Sequence, residues 1–72
     1  MSPKTVFLKP NEQYITLQSL LKVANVVSTG GMVKVFLLDN EVLVNGTPEN
    51  RRGRKLYSGD EVKVSGSVFL VK

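Results

Sequence analysis

Apolar side chains recur along this chain with two different spacings. Leu17, Leu20, Leu21 and Ala24 stand at i, i+3, i+4 and i+7, while Gln18, Lys22 and Asn25 fall on the other side. That spacing gathers the apolar set on one face of a helix. Thr16 is placed to cap the first turn through its side-chain oxygen, which predicts a helix from Leu17 to about Val26. "STGG" interrupts the pattern, and Ser28 or Thr29 can cap a second helix, "GGMVKVFLLDN", ending near Asn40. Its apolar residues, Met32, Val33, Val35, Phe36, Leu37 and Leu38, run nearly all the way round. Such a helix is expected to be central and packed on more than one side, with this set in the core and Lys34 reaching water at an edge.

The remaining segments are short and alternate or nearly so. "KTVFL" (Lys4 to Leu8), stopped by Pro10, predicts a first strand at a sheet edge. "EVLVNG" puts Val42 and Val44 on one face and ends at Asn45-Gly46, a pair suited to a tight turn that "TPEN" continues. A short strand is expected around Lys55 to Tyr57, then a turn at Ser58-Gly59-Asp60, an alternating "EVKV", a turn at "SGS" and a closing strand "VFLVK". The order predicts an α+β fold: a helical hairpin packed on a small antiparallel β-sheet. At 72 residues, with no repeat and no low-complexity linker, residues 1–72 read as a single domain.

Composition then removes several kinds of chemistry. Cysteine and histidine are both absent. No disulfide or thiolate nucleophile is available, nor the usual general base at neutral pH, nor the commonest zinc ligand. Ser19, Ser28 and Ser58 have no histidine to activate them. Asp39 and Glu41, like Asp60 and Glu61, sit at element boundaries, where capping and solvation account for them. "STGGMVK" lacks the full G-x-x-x-x-G-K-[ST] spacing of a nucleotide phosphate loop. No catalytic residue, no metal ligand and no cofactor is therefore expected. "MSPKTVFLKP" lacks the apolar core of a signal peptide, and no apolar run is long enough to span a bilayer. A soluble cytoplasmic protein with no membrane partner is expected.

Charge gives the positive signal. The net charge is +4, which tilts expectation toward an acidic partner. Arg51, Arg52, Arg54 and Lys55 crowd together in "NRRGRKLYSGD", around a permissive Gly53. Repulsion within such a run is relieved by solvent or by a partner. Arginine's planar fork suits phosphate and stacks on bases, whereas a purely solubilising loop would serve as well with lysine. Lys34, early in the second helix, and Lys22, away from the apolar stripe of the first, extend the patch if the helical hairpin lies beside the loop. The paired glycines at the start of the second helix expose amides that can hold a phosphate. Tyr57 either stacks on an unpaired base or packs beneath the loop. Lys4, Lys9, Lys63 and Lys72 read as ordinary surface lysines.

Taken together, the helix opening "ITLQSLLK", a second helix after a small-residue turn, "VLVNG", the basic loop and "GDEV" resemble a known family. It is the RNA-binding domain named after ribosomal small-subunit protein S-four, also called the alpha-L RNA-binding motif. More narrowly, "GGMVKVFLLDNEVLVNGTPENRRGRKLYSGDEV" resembles its short, stand-alone YaaA-like bacterial members. The resemblance covers about residues 14–64. It implies that the hairpin and the following loop form an RNA-binding surface that includes Lys34, Arg51, Arg52, Arg54 and Lys55. Family members often open the second helix with serine or arginine; with Gly30, Gly31 and Met32 here, phosphate contact at that point falls to the backbone.

The expected function is a non-catalytic module for structured RNA, above all ribosomal RNA or ribosomal particles, in a bacterial cytoplasm. A role in ribosome assembly or translation follows from the resemblance alone. The rivals are a protein-interaction module docking on an acidic protein surface, and duplex DNA binding.

Overall fold

The computed structural model describes residues 3–72. Its first helix, α1 (Leu17–Val23), begins where the pattern predicts, with the Thr16 hydroxyl oxygen accepting the Ser19 amide at 3.2 Å. It ends at Val23 rather than Val26 because Asn25 adopts a left-handed φ of 60°. The amides of Val26 and Val27 then fold back onto the Leu21 carbonyl, a helix stop that sends Val27 into the core. The second helix, α2 (Gly30–Asp39), has Thr29 in the capping position, but the Thr29 side chain makes no capping bond. The Ser28 hydroxyl instead donates to the Met32 sulfur at 3.2 Å.

Five strands form the main sheet. They are β1 (Lys4–Val6), β3 (Val42–Val44), β4 (Thr47–Pro48), β6 (Glu61–Val64) and β7 (Ser67–Val71), in the order β1-β7-β6-β3-β4. Every neighbouring pair is antiparallel except β1 and β7, which run parallel, so the sheet is mixed rather than wholly antiparallel. Parallel neighbours need a long crossover, and the helical hairpin together with the chain after it supplies one. The β3–β4 and β6–β7 turns place Asn45-Gly46 at φ 52° and 83° and Ser65-Gly66 at φ 50° and 80°. Two left-handed residues in succession match the twist of the flanking strands. "TPEN" is thus only partly turn, since Thr47 and Pro48 pair with Val44 and Leu43. A separate ribbon, not foreseen in full, pairs β2 (Ile15–Thr16) with β5 (Lys55–Leu56).

The core lies between one face of this sheet and the two helices. Leu17, Leu20 and Leu21 of α1, with Val33 and Leu37 of α2, meet Val42, Val44, Val62, Val64, Phe69 and Val71. The expected all-round burial of α2 does not occur. Met32, Val35 and Leu38 are 51%, 59% and 77% exposed and, at i, i+3 and i+6, make one outward stripe. α1 and the sheet cover one side of α2, and among the described residues no further element covers the other.

Candidate nucleic-acid interface

The basic loop is held by backbone contacts from two directions. The Glu49 amide donates to the Val42 carbonyl at 2.8 Å, and the Arg54 amide closes a turn on the Arg51 carbonyl at 3.1 Å. From the other side, the first amides of α1 reach into the loop: Leu17 donates to the Arg54 carbonyl at 2.8 Å and Gln18 to the Arg52 carbonyl at 3.0 Å. Helix starts leave such amides without partners, so helix and loop satisfy one another here. Gln18 also ties in α2. A Cβ on Gly30 would stand 3.0 Å from the Gln18 side-chain nitrogen, so glycine permits this close approach. Loop, α1 and the start of α2 therefore share one surface.

Glu49 sets the charge pattern. It lies in the "TPEN" segment, yet its side chain is only 7% exposed. Its carboxylate accepts the Arg51 amide at 3.1 Å, Arg51 Nε at 3.0 Å, Arg51 Nη2 at 3.1 Å and Arg54 Nη1 at 2.8 Å. The side-chain bonds from Arg51 outweigh the opposing effect of burial and, with Arg54, hold its pKa down to about 2. Glu49 in turn raises the pKa of Arg51. The Arg51 side chain remains 73% exposed, so it is oriented without being hidden. Arg54 is turned further inward, at 34%.

The structure divides the six predicted cations into groups. Lys34, Arg51 and Arg52 converge, with Leu38, Asn50 and Gly53, on an open groove of about 430 Å³ between α2 and the loop. Among the described residues, neither Lys34 nor Arg52 takes part in a salt bridge. Lys55 points elsewhere, its ammonium 5.1 Å from the centre of the Tyr14 ring. Lys22 is exposed in the last turn of α1, one turn beyond Gln18, and does not line the groove. Sequence reasoning missed Glu49, Leu38 and Tyr14. Only Glu49 carried a signal: a carboxylate two positions before an arginine run is well placed to be captured by it.

The helical hairpin, the hairpin after it and the basic loop between strands define a class in which a compact α+β unit offers a cationic groove. The chain belongs to the S4 domain family, whose model matches residues 8–72. It is similar to the probable ribosome maturation protein RlbA of Bacillus subtilis (strain 168), with 57% identity over 54 residues, 75% of this chain and 76% of that protein. No solved structure matches it significantly. Among the described residues, no helix is long and apolar enough to cross a membrane.

Proposed function

We propose that residues 1–72 act as one non-catalytic RNA-binding domain whose ligand is structured ribosomal RNA, free or in ribosomal particles, in the cytoplasm. The observation that carries the reading is the meeting of Lys34, Arg51 and Arg52 on one open groove. Three cations from two elements line a trough, and among the described residues two of them lack an internal salt bridge. That arrangement suits a phosphate backbone lying along the groove. Arg51, aimed by Glu49, presents its outer edge in a fixed orientation, and Arg54 acts mainly by holding the loop. Gly31, an exposed residue at the start of α2 one turn before Lys34, offers a further backbone contact. The resemblance to a protein named for ribosome maturation supports an RNA of ribosomal origin and a role in assembly.

The test is binding of a labelled, folded ribosomal RNA fragment, with unlabelled duplex DNA as competitor, across a salt series. Wild-type protein should bind the RNA despite the DNA. Lys34→Ala and Arg52→Ala should each weaken binding and lower the logarithmic salt slope by about 0.7 to 0.9 per lost phosphate contact, with thermal stability unchanged. Equal affinity for duplex DNA, or variants that bind as well as wild type, would overturn the reading. Preference for an acidic protein over RNA would move the function to protein docking.

A further inference from the structure

The β2–β5 ribbon has two faces with different jobs. Ile15 pairs with Leu56 and Thr16 with Lys55. Leu56 is fully buried, so the face it shares with Ile15 is the inner one. Side chains alternate along a strand, which leaves Lys55 and Tyr57 on the outer face. One step beyond the ladder, the same register sets Tyr14 opposite Tyr57. Their ring centroids are 5.8 Å apart with the planes tilted by 52°, and the two residues are 39% and 48% exposed. Lys55 places its ammonium 5.1 Å from the centre of the Tyr14 ring. Tyr57 is fixed from below: its amide donates to Asp60 Oδ2 at 2.7 Å, and its carbonyl accepts the Asp60 amide at 2.9 Å.

Three features distinguish this cluster from ordinary packing. The rings lie on the solvent side of a ribbon whose other side is already filled. A cation stands ready beside them. The cluster is also close to the basic loop, since Lys55 follows Arg52 by three residues, at most about 11 Å of extended chain, although it faces away from the groove. Tyr14 in addition walls an open groove of about 710 Å³, lined also by Lys9, Asn11, Glu12 and Gln13 and by Thr16 and Ser19, whose hydroxyls bond to each other.

We propose that Tyr14 and Tyr57, with Lys55, form a stacking site for an unpaired nucleobase of the bound RNA. This rests on the RNA-binding reading above and adds to it a class of ligand: a structured RNA carrying an unpaired nucleotide beside a paired stem. The stem's phosphates lie on Lys34, Arg51 and Arg52. The extruded base stacks on a tyrosine face, and Lys55 neutralises the phosphate of that nucleotide. Stacking of this kind tolerates any base, because every base has a π-face. Polar groups in the adjoining groove can then reach the base edge.

The chain has two tyrosines and no tryptophan, so its intrinsic ultraviolet emission reports this site. The probes are three RNA hairpins of identical stem: one with a single bulged 2-aminopurine, one with an abasic bulge, and one fully paired. The bulged base should tighten binding by about 5- to 150-fold over the abasic hairpin, quench tyrosine emission and alter 2-aminopurine emission. Tyr14→Leu and Tyr57→Leu should abolish that preference yet bind the paired hairpin as wild type does, while Tyr14→Phe and Tyr57→Phe keep it. Equal binding of all three hairpins with unmoved tyrosine emission would overturn the inference. If Lys34→Ala and Arg52→Ala still weakened that binding, the RNA reading would stand alone. Failure of every hairpin to bind through Lys34 and Arg52 would remove both. The comparison among RNAs uses wild-type protein, so it decides the matter even where a leucine variant unfolds.

Discussion

Replacing Glu49 by glutamine removes the charge that organises the basic loop. The carboxyl is held at a pKa of about 2 against an ordinary value of 4.5, chiefly by the side-chain bonds from Arg51. At about 1.4 kcal/mol per pKa unit, full realisation of that difference would be worth roughly 3 kcal/mol. Glu49 is covered by its arginines rather than sunk among apolar groups, so solvent screens part of this, and about 1 to 3 kcal/mol is the expected loss in Glu49→Gln. The sign with pH follows from the depressed value. Stabilisation is complete above the unfolded pKa near 4.5 and disappears as pH falls toward about 2, where the folded carboxylate takes up its proton. Urea unfolding of wild type and Glu49→Gln, followed by circular dichroism at successive pH values, measures the difference directly. Other carboxylates titrate in both proteins and cancel in that difference. The gap should be widest at neutral pH and close on acidification. A gap that stays constant with pH, or is absent at neutral pH, would refute the argument that the ionised carboxylate holds the loop.

Other predictions test the packing. Leu37→Ala should cost about 2 to 3 kcal/mol, the low end for a core leucine, whereas Leu38→Ala, one residue on, should lie within about 0.5 kcal/mol of wild type in the same urea assay. Equal costs would mean that α2 is packed on both sides after all. Thr16→Ala removes the cap of α1 beside the Arg52 and Arg54 carbonyls and should cost about 1 kcal/mol. The same change should speed hydrogen exchange at the Leu17 and Gln18 amides, and unchanged exchange there would show that the loop does not depend on the cap.

What was legible in the sequence was mostly local. The start and apolar face of α1, the Asn45-Gly46 turn and the alternation in "EVKV" each follow from neighbouring residues, and each is found in the fold. The exposure of Met32, Val35 and Leu38 was not legible, because it depends on how many other elements exist to cover a helix. The short strand at Lys55 was legible, but its pairing with Ile15 and Thr16 was not, because each strand has two residues and the partners are far apart in the chain. The basic run is plain in composition. Its division into Arg54, turned inward on Glu49, and Arg52, outside any salt bridge among the described residues, depends on side-chain contacts that no spacing reveals. Tyr14 was invisible as part of a site for the same reason, since only the fold brings it to Tyr57.

The parallel pairing of β1 with β7 also bears on the order in which the molecule assembles. Lys4 to Val6 align with Phe69 to Val71, so β1 has no place in the sheet until β7 has been synthesised. The α1–α2 hairpin and the β3–β4 turn need only near neighbours and can organise while the chain is still emerging. Closure waits on β7, which joins β1 to β6 and brings Phe69 and Val71 to the core. Contacts this distant in sequence slow folding, because a long loop must be closed before they return any stabilisation. The basic loop is thus made before the strand that closes the sheet, and its α1 contacts do not depend on that strand.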